Sequence, residues 1–150
     1  MFKYIFLAIA LLFTTSCFKE KGASETLKTY IQQRFNGELD RLEIQQYLVG
    51  AIHDEIKNMS EDDFEKYSDL SNLKKKKFKV THENCNSDKC FITYLISYDQ
   101  FKDSKDFFRV DSKKIAELTK IDDSWKIEKV TNVKSYLESK QPIDIETSSK

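Results

Sequence analysis

The sequence predicts an α+β fold: N-terminal helices packed on an antiparallel sheet of about four strands. Two observations predict it. Between residues 24 and 68, apolar side chains recur every three or four positions, the spacing of a helical stripe that faces a core. From Phe78 onward, apolar and polar residues alternate and β-branched and aromatic types dominate, as in strands. Helices first and strands second place a helical layer against one face of a meander. Nothing else in the chain could cover that face.

The elements follow in order. Ile5 to Phe13 reads IFLAIALLF, without a polar side chain, after Lys3 and before Thr14, Thr15 and Ser16. A basic start, an apolar middle and small residues at the end form the layout of an export signal. A spanning helix needs about 20 apolar residues, more than this run supplies. Cys17 sits where the apolar run meets the charged residues of LLFTTSCFKEK.

That stretch resembles a bacterial lipoprotein signal peptide. In that family a peptidase cuts just before a cysteine whose sulfur carries a diacylglyceryl group. Ser16 matches the small residue before it and Thr15 is acceptable one earlier. Thr14 stands where Leu is usual, with Phe13 the displaced apolar residue. The resemblance implies a signal peptide over 1–16, cleavage between Ser16 and Cys17, and lipid attachment at Cys17. One acyl chain such as palmitate binds marginally, whereas two or three on one residue anchor durably. It places the protein in the bacterial cell envelope, lipid-anchored on the periplasmic side. Phe18, in place of an Asp, tilts this toward the outer membrane. An ordinary secretory signal, with Cys17 a free thiol, is the alternative.

Residues 17–23 read as a lipidated tether; the stretch from Lys19 to Ser24 reaches about 20 Å at roughly 3.5 Å per residue. Residues 24–140 read as one α+β domain and 141–150 as a polar tail. With Cys17 acylated, Cys85 and Cys90 remain as a pair in ENCNSDKCFI. An oxidising compartment permits a disulfide, and closing so short a loop contributes about 2 kcal/mol. Free thiols are the alternative, as is a metal pair with His82, although zinc needs more ligands than this.

Charge balances at 25 basic against 25 acidic residues, so the basic excess of a nucleic-acid binder is absent. Three glycines in the whole chain exclude glycine-rich phosphate loops. No catalytic constellation, metal site or cofactor motif is found.

A first helix carries Leu27, Tyr30, Ile31 and Phe35 on one stripe, with Ser24 as its cap and Asn36-Gly37 as its stop. A longer second helix carries Leu39, Leu42, Leu48, Ile52, Ile56 and Met59 on one face, with no short strand between helices. Ser60 and Asp63 open a short third one. Lys74 to Lys77 read as a solvated turn, with attraction to anionic lipid as the alternative. Phe78 and Val80 begin the strands. Cys90 to Tyr98, CFITYLISY, reads as a central strand buried on both sides. Residues 99–106 form a polar hairpin loop. Phe107 to Ile121 carries two alternations, with a bulge around Lys113. Asp122-Asp123 turns the chain. Trp125, Ile127, Val130 and Val133 make a last strand whose uneven spacing signals a bulge or bend.

The closing IDDSWKIEKV resembles the final hairpin of nuclear transport factor 2-like (cystatin-like) domains, and the element order agrees over about residues 24–136. The resemblance implies a curved, cone-like sheet wrapped around helices, with a cavity at the wider end. Some members are enzymes; many only bind or assemble. Tyr94, Tyr98 and Trp125 are the candidate cavity or core residues, with Asp99 beside them. Two tyrosines and a carboxylate can do acid–base work or simply pack; Trp125 reads more naturally as a core plug. His53 adjoins the apolar stripe and reads as a core-edge residue.

The function expected is a non-enzymatic binding or assembly module, attached to the membrane by its lipid, for an unknown protein or small apolar ligand. The alternatives are a cavity-based isomerase- or dehydratase-like enzyme and a periplasmic immunity-type inhibitor. The anchor predicts that native protein partitions into detergent and that its intact mass lacks residues 1–16 and carries acyl chains on Cys17. Water-soluble material retaining residues 1–16 would contradict it.

Overall fold

The helical part ends at Ser68 and the strands begin at Leu73, and the fold divides there into two layers. The computed structural model describes residues 22–101 and 107–139. The signal peptide, Ser16, Cys17, the tether before residue 22, residues 102–106 of the expected loop and the tail from 140 onward lie outside the described residues.

Helix α1 (Ala23–Asn36) buries Ala23, Thr26, Leu27, Tyr30 and Ile31. Gly37 ends it at φ 68°, and the N–H groups of Gly37 and Glu38 close onto the Arg34 and Gln33 carbonyls, a left-handed stop that glycine takes without strain. The expected Asn36-Gly37 stop holds. Ser24 does not cap: it lies inside the helix, and its hydroxyl donates to Glu83 at 2.6 Å.

The expected long second helix is instead two: α2 (Arg41–Tyr47), opened by an Asp40–Glu43 capping box, and α3 (Ala51–Asn58). Gly50 breaks them at φ 67°, ψ −147°, a region essentially confined to glycine. In the break, Leu48 makes a parallel bridge to Ile127, and the Val49 N–H donates to the Ile127 carbonyl at 3.0 Å. A one-residue strand therefore does lie between helices. Its apolar side chain was legible, but its backbone pairing is a long-range event that periodicity cannot register. The break also turns Leu42 to solvent, 69% exposed. Helix α4 (Glu61–Ser68) is capped by Ser60, whose hydroxyl accepts from the Asp63 N–H, with Glu61, Asp62 and Asp63 at the positive end of the helix dipole.

The strands β1 (Leu73–Cys85), β2 (Lys89–Phe101), β3 (Phe107–Ile121) and β4 (Ser124–Ser139) form an antiparallel meander in the order β1-β2-β3-β4. Lys74 to Lys77 thus belong to a strand and not to a turn, and Lys76 is the extra residue at a register shift. The expected loop starts late, since Asp99–Phe101 still pair within the sheet. Strand β2 is central but is buried on one face only: Cys90, Ile92, Tyr94 and Ile96 point inward while Phe91 is 46% exposed. The helices form a layer on one side, so the other face of this apolar run meets water.

The irregularity expected near Lys113 occurs there, but the additional residue is Val133 on β4. A second shift inserts Glu128, and these two bulges account for the uneven spacing from Trp125 to Val133. Asp122 and Asp123 turn the chain with φ 46° and 61°, matching the twist of the strands they join. Cys85 faces Cys90 as the last pair of β1 and β2, at disulfide distance with Cα atoms 4.0 Å apart.

Leu27, Ile44, Ile56, Ile92, Leu118 and Ile127 form the fully buried centre. Ile127→Ala should lower the unfolding free energy by about 2–5 kcal/mol. Gly50→Ala should cost roughly 1–3 kcal/mol through backbone conformation, because only Glu128 Cγ, at 3.9 Å, lies near an added Cβ. Urea titration checks both, and a neutral Gly50→Ala would contradict the glycine-dependent break.

Candidate functional site

The C-terminal turns of α1 lie over the middle of β2 and leave a cavity of about 270 Å³ between the layers. Helix α1 supplies Tyr30, Ile31, Arg34 and Phe35, and β2 supplies Tyr94, Ile96 and Tyr98. Tyr67, Leu70 and Leu73 close one side; Ile52, Lys114 and Val130 close the other. The volume lies just below the usual range of ligand pockets, about 300 to 1,000 Å³.

Each side chain is aimed by its element. Positions 30, 31, 34 and 35 continue the stripe begun at Leu27, so Arg34 is carried inward with the apolar residues. Its guanidinium donates to the Tyr67 hydroxyl and to the Tyr67 carbonyl, both at 2.8 Å, and stacks 4.2 Å from the ring centroid. The Tyr30 and Tyr67 hydroxyls are 3.4 Å apart. Phe35 packs beside Tyr98 and Phe78 beside Tyr94, with ring centroids 5.9 Å and 5.4 Å apart. Burial pushes the Tyr67, Tyr94 and Tyr98 phenols up, so all three stay protonated and available as donors. Lys114 pairs with Tyr94 in the sheet register and shares its inward face. Burial lowers its amine below the usual lysine value, and it has no hydrogen-bond or ion-pair partner among the described residues.

Of the residues expected to be in the cavity or core, Tyr94 and Tyr98 do line the cavity. Trp125 packs, partly buried, against the core and lines none of the described cavities. Asp99 is not with the tyrosines: one residue beyond Tyr98, it projects from the other sheet face. There it is 3% exposed, held by Lys76 at 3.1 Å and Arg109 at 2.8 Å. His53 lies partly buried on α3, with Nδ1 3.1 Å from an Asp54 carboxylate oxygen. The expectation missed Arg34, Tyr67 and Lys114. A signal existed for two of them: Arg34 falls on the stripe of Leu27 and Ile31, and Lys114 falls in the inward register of Ser112, Ala116 and Leu118.

The chain matches no protein-family model and no curated protein. No described helix is long and apolar enough to cross a membrane.

The hydrogen bond from Arg109, and secondarily that from Lys76, holds the Asp99 carboxyl below its ordinary value of 3.8. A depressed carboxylate contributes stability that is complete above the unfolded-state value and is lost as pH falls through the folded one. The stability difference between the native protein and Asp99→Asn should therefore be present at neutral pH. It should shrink on acidification below about pH 4. Denaturant melts across pH measure it, and a difference independent of pH would contradict the ion-paired state.

Proposed function

We propose that this protein is a lipid-anchored cell-envelope module that binds a small apolar ligand in the cavity beneath α1, without catalysing a reaction. The observation that carries the proposal is the chemistry of the cavity wall. It is built from aromatic and aliphatic side chains, with a few converging donors, the usual composition of a binding pocket. Among the described residues that line it there is no carboxylate and no imidazole.

That composition is what favours binding over the isomerase- or dehydratase-like alternative. Such an enzyme needs a base beside a tyrosine, within hydrogen-bond reach of the proton it moves. Asp99, the acid nearest in sequence to the cavity tyrosines, is committed to Lys76 and Arg109 on the other face. The phenols are pushed up by burial, which suits donation and opposes service as a base. The order of helices before a four-stranded meander supports kinship with nuclear transport factor 2-like domains, and the residues around Cys17 support the anchor.

Toluene, an apolar probe of one aromatic ring followed by two-dimensional NMR, tests the binding. It should bind saturably at one site on the folded protein, and Val130→Phe, which adds bulk at the cavity wall, should weaken it about tenfold while circular dichroism stays native. Linear, unsaturable uptake, or equal affinity in Val130→Phe, would overturn the proposal.

A further inference from the structure

The charge around the cavity is one-sided. The chain as a whole carries equal numbers of acids and bases, yet among the described lining residues the two charged side chains, Arg34 and Lys114, are both cationic. The Glu55 carboxylate helps to raise the Tyr67 phenol but lines the adjoining groove and not this cavity. Elsewhere several cations are neutralised, Arg109 and Lys76 by Asp99, Lys89 by Glu128, Lys129 by Glu117 and Arg41 by Glu61, whereas half-buried Lys126 bonds the neutral Gln46 carbonyl. Arg34 bonds a neutral tyrosine, and Lys114 has no hydrogen-bond or ion-pair partner among the described residues.

An amine held among apolar groups without a counter-charge is costly, and the cost is relieved when an anion arrives. Bonds between an ammonium and a carboxylate are also stronger than neutral ones. The tyrosine hydroxyls add neutral donors around the same space, whereas a cationic ligand would meet two like charges and no acid. From the cationic, acid-free wall we infer that the cavity takes a small apolar molecule bearing one carboxylate, its head on Lys114 Nζ and its body against the rings of Phe35, Tyr94 and Tyr98. This inference rests on the binding reading above and adds to it the charge of the ligand. The cavity volume limits the body to a short aliphatic chain or a single aromatic ring.

Phenylbutyrate and phenylbutanol share a body and differ in the charge of the head, so together they separate the two claims. Each is titrated into the full chain and into Lys114→Met and Lys114→Arg, by two-dimensional NMR with thermal melts to verify folding. Methionine preserves the length and apolar stem of lysine in the interior of β3, and arginine restores the charge. The expected result is that native protein binds phenylbutyrate about tenfold tighter than phenylbutanol. Lys114→Met should remove that preference without altering phenylbutanol affinity, and Lys114→Arg should restore most of it. Equal affinities for the two probes in the native protein, or a preference that survives Lys114→Met, would overturn the inference while leaving the binding reading standing. Failure of both probes to bind would sink both.

Discussion

The sheet is longer than the helices that cover it. Its strands run 13 to 16 residues, about 43 to 53 Å at roughly 3.3 Å per residue. Helix α1, the longest described, has 14 residues, about 21 Å at 1.5 Å per residue. Ser24 at its start touches Glu83, and Phe35 at its end reaches Tyr98, so its cover ends near Tyr98 while the strands continue. At that line Leu137 on β4 is 69% exposed, although Val110 beside it stays buried. The cavity sits along this boundary, where the helical layer stops and the sheet does not.

The same mismatch explains why polar side chains collect there. Toward the covered end the inward face of β3 is apolar, with Ala116 and Leu118 fully buried. Approaching the boundary it becomes Lys114 and Ser112, which pair with Tyr94 and Ile96, and Ser112 bonds to Ser135 across the strands at 2.7 Å. A polar group can be tolerated where packing is incomplete, provided it is paired or still reached by water. Arg34 follows this rule at the end of α1, capping the Tyr67 backbone and ring. The two β4 bulges let the edge strand bend around the helices while Ile127 and Val130 both stay inward, and the Leu48 bridge fastens the broken helical segment to that strand.

Much of this architecture is local and therefore legible. The Asn36-Gly37 stop, the Ser60 cap, the Asp122-Asp123 turn and the bent last strand all follow from residue types and short spacings. What eluded the sequence depends on partners far away in the chain. Gly50 is one glycine inside a helical stripe, and only the docking of Leu48 and Val49 on Ile127 makes it a break. The apolar run of β2 suggested burial on both faces, but there is no second helical layer among the described residues. Asp99 was grouped with Tyr94 and Tyr98 by proximity in sequence, although alternation sends it to the opposite face, where Arg109 and Lys76 wait. In the cavity, the tyrosines of β2 are legible, whereas Arg34 and Lys114 show only in their place on the helical stripe and in the inward register, on elements that carry many charges.

Native-state hydrogen exchange measured amide by amide along β2 and β3 tests the short helical cover most directly. Both are interior strands, so hydrogen bonding alone does not distinguish their two ends. The account predicts that amides from Ile92 to Ile96 and from Ala116 to Leu118 exchange only through global unfolding. Those of Gln100 and Arg109, past the end of α1, should exchange through local opening at markedly lower free energy. Uniform protection along both strands would show that the far end of the sheet is covered as firmly as the near one, and would contradict the account.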